Sequence, residues 1–148
     1  MPVKLQIKSY NELSRDELYE ILKLRVNVFV VEQKCPYREI DDLDKEALHI
    51  WFEDEVGEIK AYLRVLDSGV VSEHTAIGRV IAVKRRAGLG TEILREGIRA
   101  ARERFHADAV YVEAQSYARG LYEKQGFRQI TEEFLEDGIP HIGMLLEI

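Results

Sequence analysis

The chain has 148 residues, 46% of them hydrophobic and 32% charged, with a formal net charge of −6 at pH 7. This is the length of one ordinary domain, and a chain of this size buries about 68–70% of its unfolded surface without help from disulfides or metal. The composition excludes a disordered, collagen-like or low-complexity protein, and the negative charge argues against nucleic acid or an anionic membrane as partner.

No apolar run approaches the roughly 20 residues of a membrane span, and the opening MPVKLQIKSY lacks a signal peptide's apolar core. Cys35 is the only cysteine, so no intrachain disulfide forms and a reducing, cytoplasmic setting is expected. The four histidines show no His-x-x-x-His or His-Glu-x-x-His spacing, so no metal site is expected.

Val3, Leu5 and Ile7 alternate with Lys4, Gln6 and Lys8, the period of a half-buried strand. Ser14 with Glu17 is a capping box that opens a helix. Leu18, Ile21, Leu22, Arg25, Val26 and Phe29 then recur at helical spacing until Cys35-Pro36. An acidic loop follows, then strands over residues 48–54 and 59–66 joined by Glu55-Val56-Gly57-Glu58. A third β segment covers 76–83 and runs into a basic, glycine-containing turn. From Gly88, Leu89, Ile93, Leu94, Ile98, Ala101 and Phe105 mark one face of a long helix. Gly97 on that face costs about 1 kcal/mol against alanine, which predicts close packing there. Residues 109–114 read as a buried strand. Ser116 is placed to cap a short helix through Gln125, with Gly126 as its left-handed C-cap. A strand over 127–135, a turn at Glu136-Asp137-Gly138 and a strand over 139–147 close the chain. The order is β-α-β-β-β-α-β-α-β-β.

Charge is unevenly spread. Residues 79–104 hold eight basic side chains against three acidic ones, whereas residues 32–58 hold ten acids against Lys34, Arg38 and Lys45. One surface suits a small polyanion and the other a cation, if they are more than solvated faces.

The turn Arg85-Arg86-Ala87-Gly88-Leu89-Gly90-Thr91 leads a strand into an amphipathic helix. It lacks the Gly-Lys pair of a Walker loop and the third glycine of a dinucleotide fingerprint. It does have what a phosphate cradle needs. Glycines let backbone approach a ligand, helix N-terminal N–H groups face an anion, and Arg85, Arg86 and Thr91 add charge and a hydroxyl. A glycine-eased turn with exposed arginines remains the plainer alternative. Arg25, Phe29 and Glu32 lie at i, i+4 and i+7 on one helical stripe. A charge in an apolar stripe needs a partner or a cavity, or a head that reaches solvent. His49 and His74 read as locally hydrogen-bonded, and His141 sits after Pro140 on the last strand pair.

Arg85-x-x-Gly88-x-Gly90 after a strand, followed by Leu121-Tyr122-Glu123-Lys124-Gln125-Gly126-Phe127, resembles the GNAT superfamily of acyl-CoA-dependent N-acetyltransferases. Phe29-Val30-Val31-Glu32-Gln33, Gly78-Arg79-Val80-Ile81 and Glu136-Asp137-Gly138-Ile139-Pro140-His141-Ile142-Gly143-Met144 further resemble its ElaA-like branch. The linker from strand to Arg85 is shorter than is usual in that family. The resemblance implies one α/β (α+β) domain over 1–148, with a mixed, mostly antiparallel twisted sheet of about seven strands flanked by helices. It implies acetyl-CoA as co-substrate, with Ile81 and Val83 pairing with the pantetheine arm and Arg86 to Thr91, beside Arg85, holding the pyrophosphate. It also implies that the strands at 76–83 and 109–114 splay to admit the thioester. Tyr122 would protonate the leaving thiolate; packing on Phe127 is its alternative. Glu32, Glu113, His141 or a chain of waters would take the amine's proton, and Arg25, Phe29, Glu32, Glu113 and His141 would line the acceptor pocket. The acceptor would be a small-molecule or lysine-like amine, and a homodimer through the closing strands stays open. A non-catalytic acyl-CoA-binding module, or an acyltransferase with another donor as in acyl-homoserine-lactone synthases, are the rival readings.

Overall fold

The computed structural model describes residues 3–34, 38–83 and 88–148. Strand β1 (Lys4–Ser9) is followed by helix α1 (Arg15–Arg25), a π-helical stretch Val26–Glu32, strands β2 (Leu48–Glu53), β3 (Ile59–Leu66) and β4 (Thr75–Ala82), and helix α2 (Leu89–Phe105). Strand β5 (Ala109–Gln115), short helix α3 (Arg119–Glu123) and strands β6 (Arg128–Gln129), β7 (Phe134–Glu136) and β8 (Ile139–Glu147) complete it. One eight-stranded sheet has the order β1-β2-β3-β4-β5-β8-β6, with β7 also on β8. All pairings are antiparallel except β4 with β5. Among the described residues no helix is long and apolar enough to cross a membrane.

The capping box forms: Ser14 Oγ accepts from the Glu17 N–H at 3.0 Å and Glu17 returns a bond to the Ser14 N–H at 2.9 Å. Helices α1 and α2 cover opposite faces of β3, which is why that strand is buried on both faces at every position but Lys60. Leu63 and Val65 join Ile93, Leu94 and Val110 under α2, while Tyr62 joins Ile21 and Trp51 under α1. The glycine at 97 is explained by Leu63, since a Cβ there would lie 2.9 Å from its Cδ2.

Three expectations need correction. Strand 127–135 is two short strands, so the sheet has eight. The break falls where Thr131 Oγ1 accepts the Gly143 N–H at 2.8 Å, taking the place of a ladder carbonyl. Ser116 does not cap a helix; its hydroxyl bonds Glu133 at 2.7 Å, and Ala118 is the N-cap of α3. Gly126 does adopt a positive φ, +100°, just beyond α3. The first helix leaves α geometry after Arg25, and i→i+5 winding breaks the stripe on which Arg25, Phe29 and Glu32 were expected.

Candidate active site

Strands β4 and β5 pair only at Thr75–Val110, Ala76–Tyr111 and Ile77–Val112. Beyond Ile77 and Val112 they part. On its other edge β4 is bulged: Tyr62 faces Ile81 and Arg64 faces Gly78, so Arg79 and Val80 oppose Leu63 alone. Arg79 takes a φ of +56° to make the bend. The wedge between the strands is a cleft of about 1140 Å³. Ile81, Ala82 and Val83 border it on one side and Tyr111, Glu113 and Gln115 on the other. An unpaired β4 edge beside a cavity is a template for an extended amide-bearing ligand.

The junction into α2 lies at one end of this cleft. Gly88 is the N-cap at φ +96°, where a side chain would be strained. Leu89 is buried in the core, and Gly90 lines the cleft with Ala82 Cβ and Leu121 Cδ1 each 3.7 Å from where its Cβ would stand. The seventeen residues of α2 direct their dipole and first free N–H groups here. Thr91 is half-buried and its carbonyl accepts from Gln125 at 3.4 Å. Arg85, Arg86 and Ala87 lie outside the described residues, as does Cys35.

Tyr122 stands on α3 at the cleft wall, 7% exposed. Its ring meets Phe127 edge-on, with centroids 5.7 Å apart and planes at 83°. Packing therefore holds the ring, while the hydroxyl has no hydrogen-bond partner among the described residues. Burial, with Tyr117 nearby, pushes its pKa up, so the phenol is a neutral donor at ordinary pH.

The opposite wall is acidic. Odd residues of β5 face the cleft while Val110, Val112 and Ala114 face the core. Tyr111 donates to Glu113 at 3.0 Å, and burial with that carboxylate pushes its phenol up to about 12. Glu136, from β7, lies beside Glu113 and 3.6 Å from His141 Nε2. Burial and then the Glu113 charge raise the Glu136 pKa above the usual carboxylate range. His141 is 7% exposed, held by Nδ1 to the Ile139 carbonyl at 2.7 Å and by stacking on Phe134. Phe29 and Glu32 border the same cleft from the π-helical stretch, and Gln33 beside them accepts from Gln115 at 3.2 Å.

Arg25 does not join them. It is fully buried, with Nε 2.6 Å from Glu39 and Nη1 2.6 Å from Asp44. The expectation that it lines the acceptor pocket fails because the carboxylates of Glu39 and Asp44 hold its guanidinium inside the protein. Arg64 meets Asp41 at 2.7 Å and Asp44 at 3.0 Å, and Arg79 meets Glu39 at 2.6 Å. Burial opposes ionisation of Asp41, but the Arg64 guanidinium overrides it and holds the carboxyl down to about 2. His49 is locally bonded as expected, to the Tyr62 hydroxyl at 2.6 Å and the Asp44 carbonyl at 2.9 Å.

Glu136 and Tyr111 were missed in the sequence. Glu136 reads there as a turn residue, and only the β7–β8 register, with Phe134 opposite His141, brings it to the cleft. Tyr111 could have been found, because it precedes Glu113 by one strand period.

The family model for the acetyltransferase (GNAT) domain matches residues 11–148. Protein ElaA of Escherichia coli K12 is 39% identical over 152 aligned positions, covering 99% of this chain and 97% of ElaA. The crystal structure of E. coli ElaA superposes with a TM-score of 0.91 at 37% identity, covering 99% of this chain and all of that one. An acyl-CoA N-acyltransferase from Pseudomonas aeruginosa superposes with a TM-score of 0.90 at 39% identity, covering 97% and 99% of the two chains. With the splayed strands, the glycine-capped helix and a buried tyrosine on one cleft, the chain belongs to the GNAT family of N-acetyltransferases.

Proposed function

We propose that the protein transfers an acetyl group from acetyl-CoA to a primary amine by direct attack in a ternary complex. The observation that carries this reading is the Tyr122 phenol, nine-tenths buried and without a hydrogen-bond partner among the described residues, on a cleft that an open strand edge and a helix N-terminus also border. The Pseudomonas aeruginosa relative, described as an acyl-CoA N-acyltransferase, supports the donor class.

In this reading the N-terminus of α2, from Gly88 to Thr91, holds the pyrophosphate together with Arg85, Arg86 and Ala87. The β4 edge at Ile81 and Val83 takes the pantetheine amides as an added strand. Strand N–H groups in the splay polarise the thioester carbonyl, and fixed orientation of amine and thioester supplies much of the rate. As the C–S bond breaks, Tyr122 gives its proton to the departing sulfur. Neither motif contains a cysteine, which favours direct attack over an acetyl-enzyme.

Incubation with acetyl-CoA and a panel of amines, following thiol release, tests the reading. Release above the uncatalysed background on at least one amine is expected. Acetyl-CoA binding by calorimetry with no release on any amine would instead favour a binding module.

A further inference from the structure

The cleft is polarised along its length. The start of α2 and the β4 edge border one side, and the carboxylates Glu113 and Glu136 gather with His141 on the wall made by β5, β7 and β8. The proton inventory of that wall can be read from its bonds. The Ile139 carbonyl can only accept, so His141 Nδ1 must carry hydrogen. Its other ring nitrogen, Nε2, lies 3.6 Å from Glu136 Oε2. Glu113, itself bonded by Tyr111, crowds Glu136 with a second negative charge. Two carboxylates and one imidazole thus stand together on a cleft that Tyr122 also lines.

Two guanidinium groups that line the cleft, those of Arg64 and Arg79, are already committed to carboxylates, whereas Lys124 lines it from the end of α3. Arg64 is bonded through both Nη atoms to Asp41 and Asp44, and its remaining Nε is buried. Arg79 is bonded to Glu39 and Asp41. A ligand carboxylate entering on this side would meet paired guanidinium groups and the like charge of Glu32, Glu113, Glu136 and Asp137.

We propose that Glu136, with His141 and Glu113, is the ammonium-receiving end of the cleft, selecting an acceptor that is a cationic amine without a carboxylate and removing its proton. This rests on the acetyl-transfer reading above. The ammonium gives one proton to the Glu136–His141 pair and becomes a free amine. Its lone pair forms the C–N bond while the C–S bond breaks, and sulfur leaves with the bonding electrons. Sulfur takes the Tyr122 proton, and the phenol is reprotonated by the proton lost from the acylated nitrogen. The other groups facing Glu136 are Glu113 and Tyr111 from β5, Asp137 from the turn and His141 from β8, while Glu32 lines the same cleft.

A matched pair of acceptors tests this: 1,4-diaminobutane and ornithine, which carries the same two amines plus a carboxylate. Each is titrated calorimetrically into protein saturated with CoA, with acetyl-CoA binding measured first as the control for fold and donor site. The diamine is expected to bind about tenfold or more tightly than ornithine, and Glu136→Gln should erase that preference while leaving CoA affinity unchanged. Turnover of the diamine by Glu136→Gln should fall about 100-fold at pH 7, and the deficit should narrow towards about pH 10, where solvent supplies the free amine. Failure of acetyl-CoA to bind overturns the acetyl-transfer reading and this inference with it. If acetyl-CoA binds but the diamine does not, or ornithine binds equally well, or the variant keeps the parent's pH profile, the inference alone falls.

Discussion

Two charged clusters border the same cleft and are built to opposite ends. In one, Arg25, Arg64 and Arg79 meet Glu39, Asp41 and Asp44 at 2.6–3.3 Å, so each buried charge has an opposite partner. In the other, Glu113 and Glu136 lie together with a single imidazole, and the balance is negative. Matched charges lock segments; the first cluster ties the loop carrying Glu39 to Asp44 onto α1, β3 and the β4 bulge. Unmatched charges beside a cavity are free to exchange protons and to bind a cation. Residue type does not separate the two clusters. Stoichiometry does.

The sharpest contrast comes from making one chemical change in both places. Glu39→Gln leaves two arginines short of a buried counter-charge, and the expected loss is about 3–5 kcal/mol of unfolding free energy in a denaturant titration. A loss near zero would mean the locked cluster is not holding the loop. On the cleft side, Tyr122→Phe keeps the ring against Phe127 and removes only the proton donor. It should lower kcat by about 100-fold or more with acetyl-CoA affinity unchanged by calorimetry. Gly143→Ala is next in size, because the added Cβ would lie 2.8 Å from the Tyr111 hydroxyl and 2.7 Å from Thr131 Cγ2. Overpacking there should cost about 1–3 kcal/mol and displace the phenol that supports Glu113, read as a lower melting temperature and weaker amine binding.

The two clusters also give opposite slopes of stability with pH. Asp41 is held down to about 2, below its ordinary value of 3.8, so its contribution is complete above the unfolded value and is lost as pH falls towards 2. Glu136 is shifted upward, so its contribution is complete below the usual carboxylate range and is lost as pH rises through the folded value. Glu39→Gln should weaken the acid-side loss, since Arg79 and Arg25 lose the partner that fixes the network around Asp41. The smallest expected effect is that of Glu136→Gln on stability at neutral pH, within about 0.5 kcal/mol of the parent, since that side chain lies at the open cleft. A change as large as that of Glu39→Gln would erase the distinction between the clusters.

The fold was legible wherever a pattern was local. Apolar spacing placed α2, the capping box placed α1, and β3 and β8 begin and end where their apolar runs do. The start of α2 was legible because glycines at 88 and 90 and the first apolar residues of its helical stripe are adjacent in sequence. What failed depended on contacts between distant residues. The inward turn of Arg25 is set by carboxylates at 39 and 44, and a charged residue on an apolar stripe does not say which of its options is taken. Glu136 looked like a turn residue because its partners, Glu113 and His141, are brought to it by two separate strand pairings. The break after Gln129 depends on one threonine hydroxyl displacing a ladder carbonyl.

The central claim is that acetyl-CoA threads between β4 and β5 with its sulfur at the Tyr122 phenol. A crystal structure with CoA bound tests it most directly. The account predicts the pyrophosphate on the N–H groups from Gly88 to Thr91 and the sulfur within hydrogen-bond reach of the Tyr122 hydroxyl. CoA bound elsewhere, or a sulfur directed away from that hydroxyl, would contradict it.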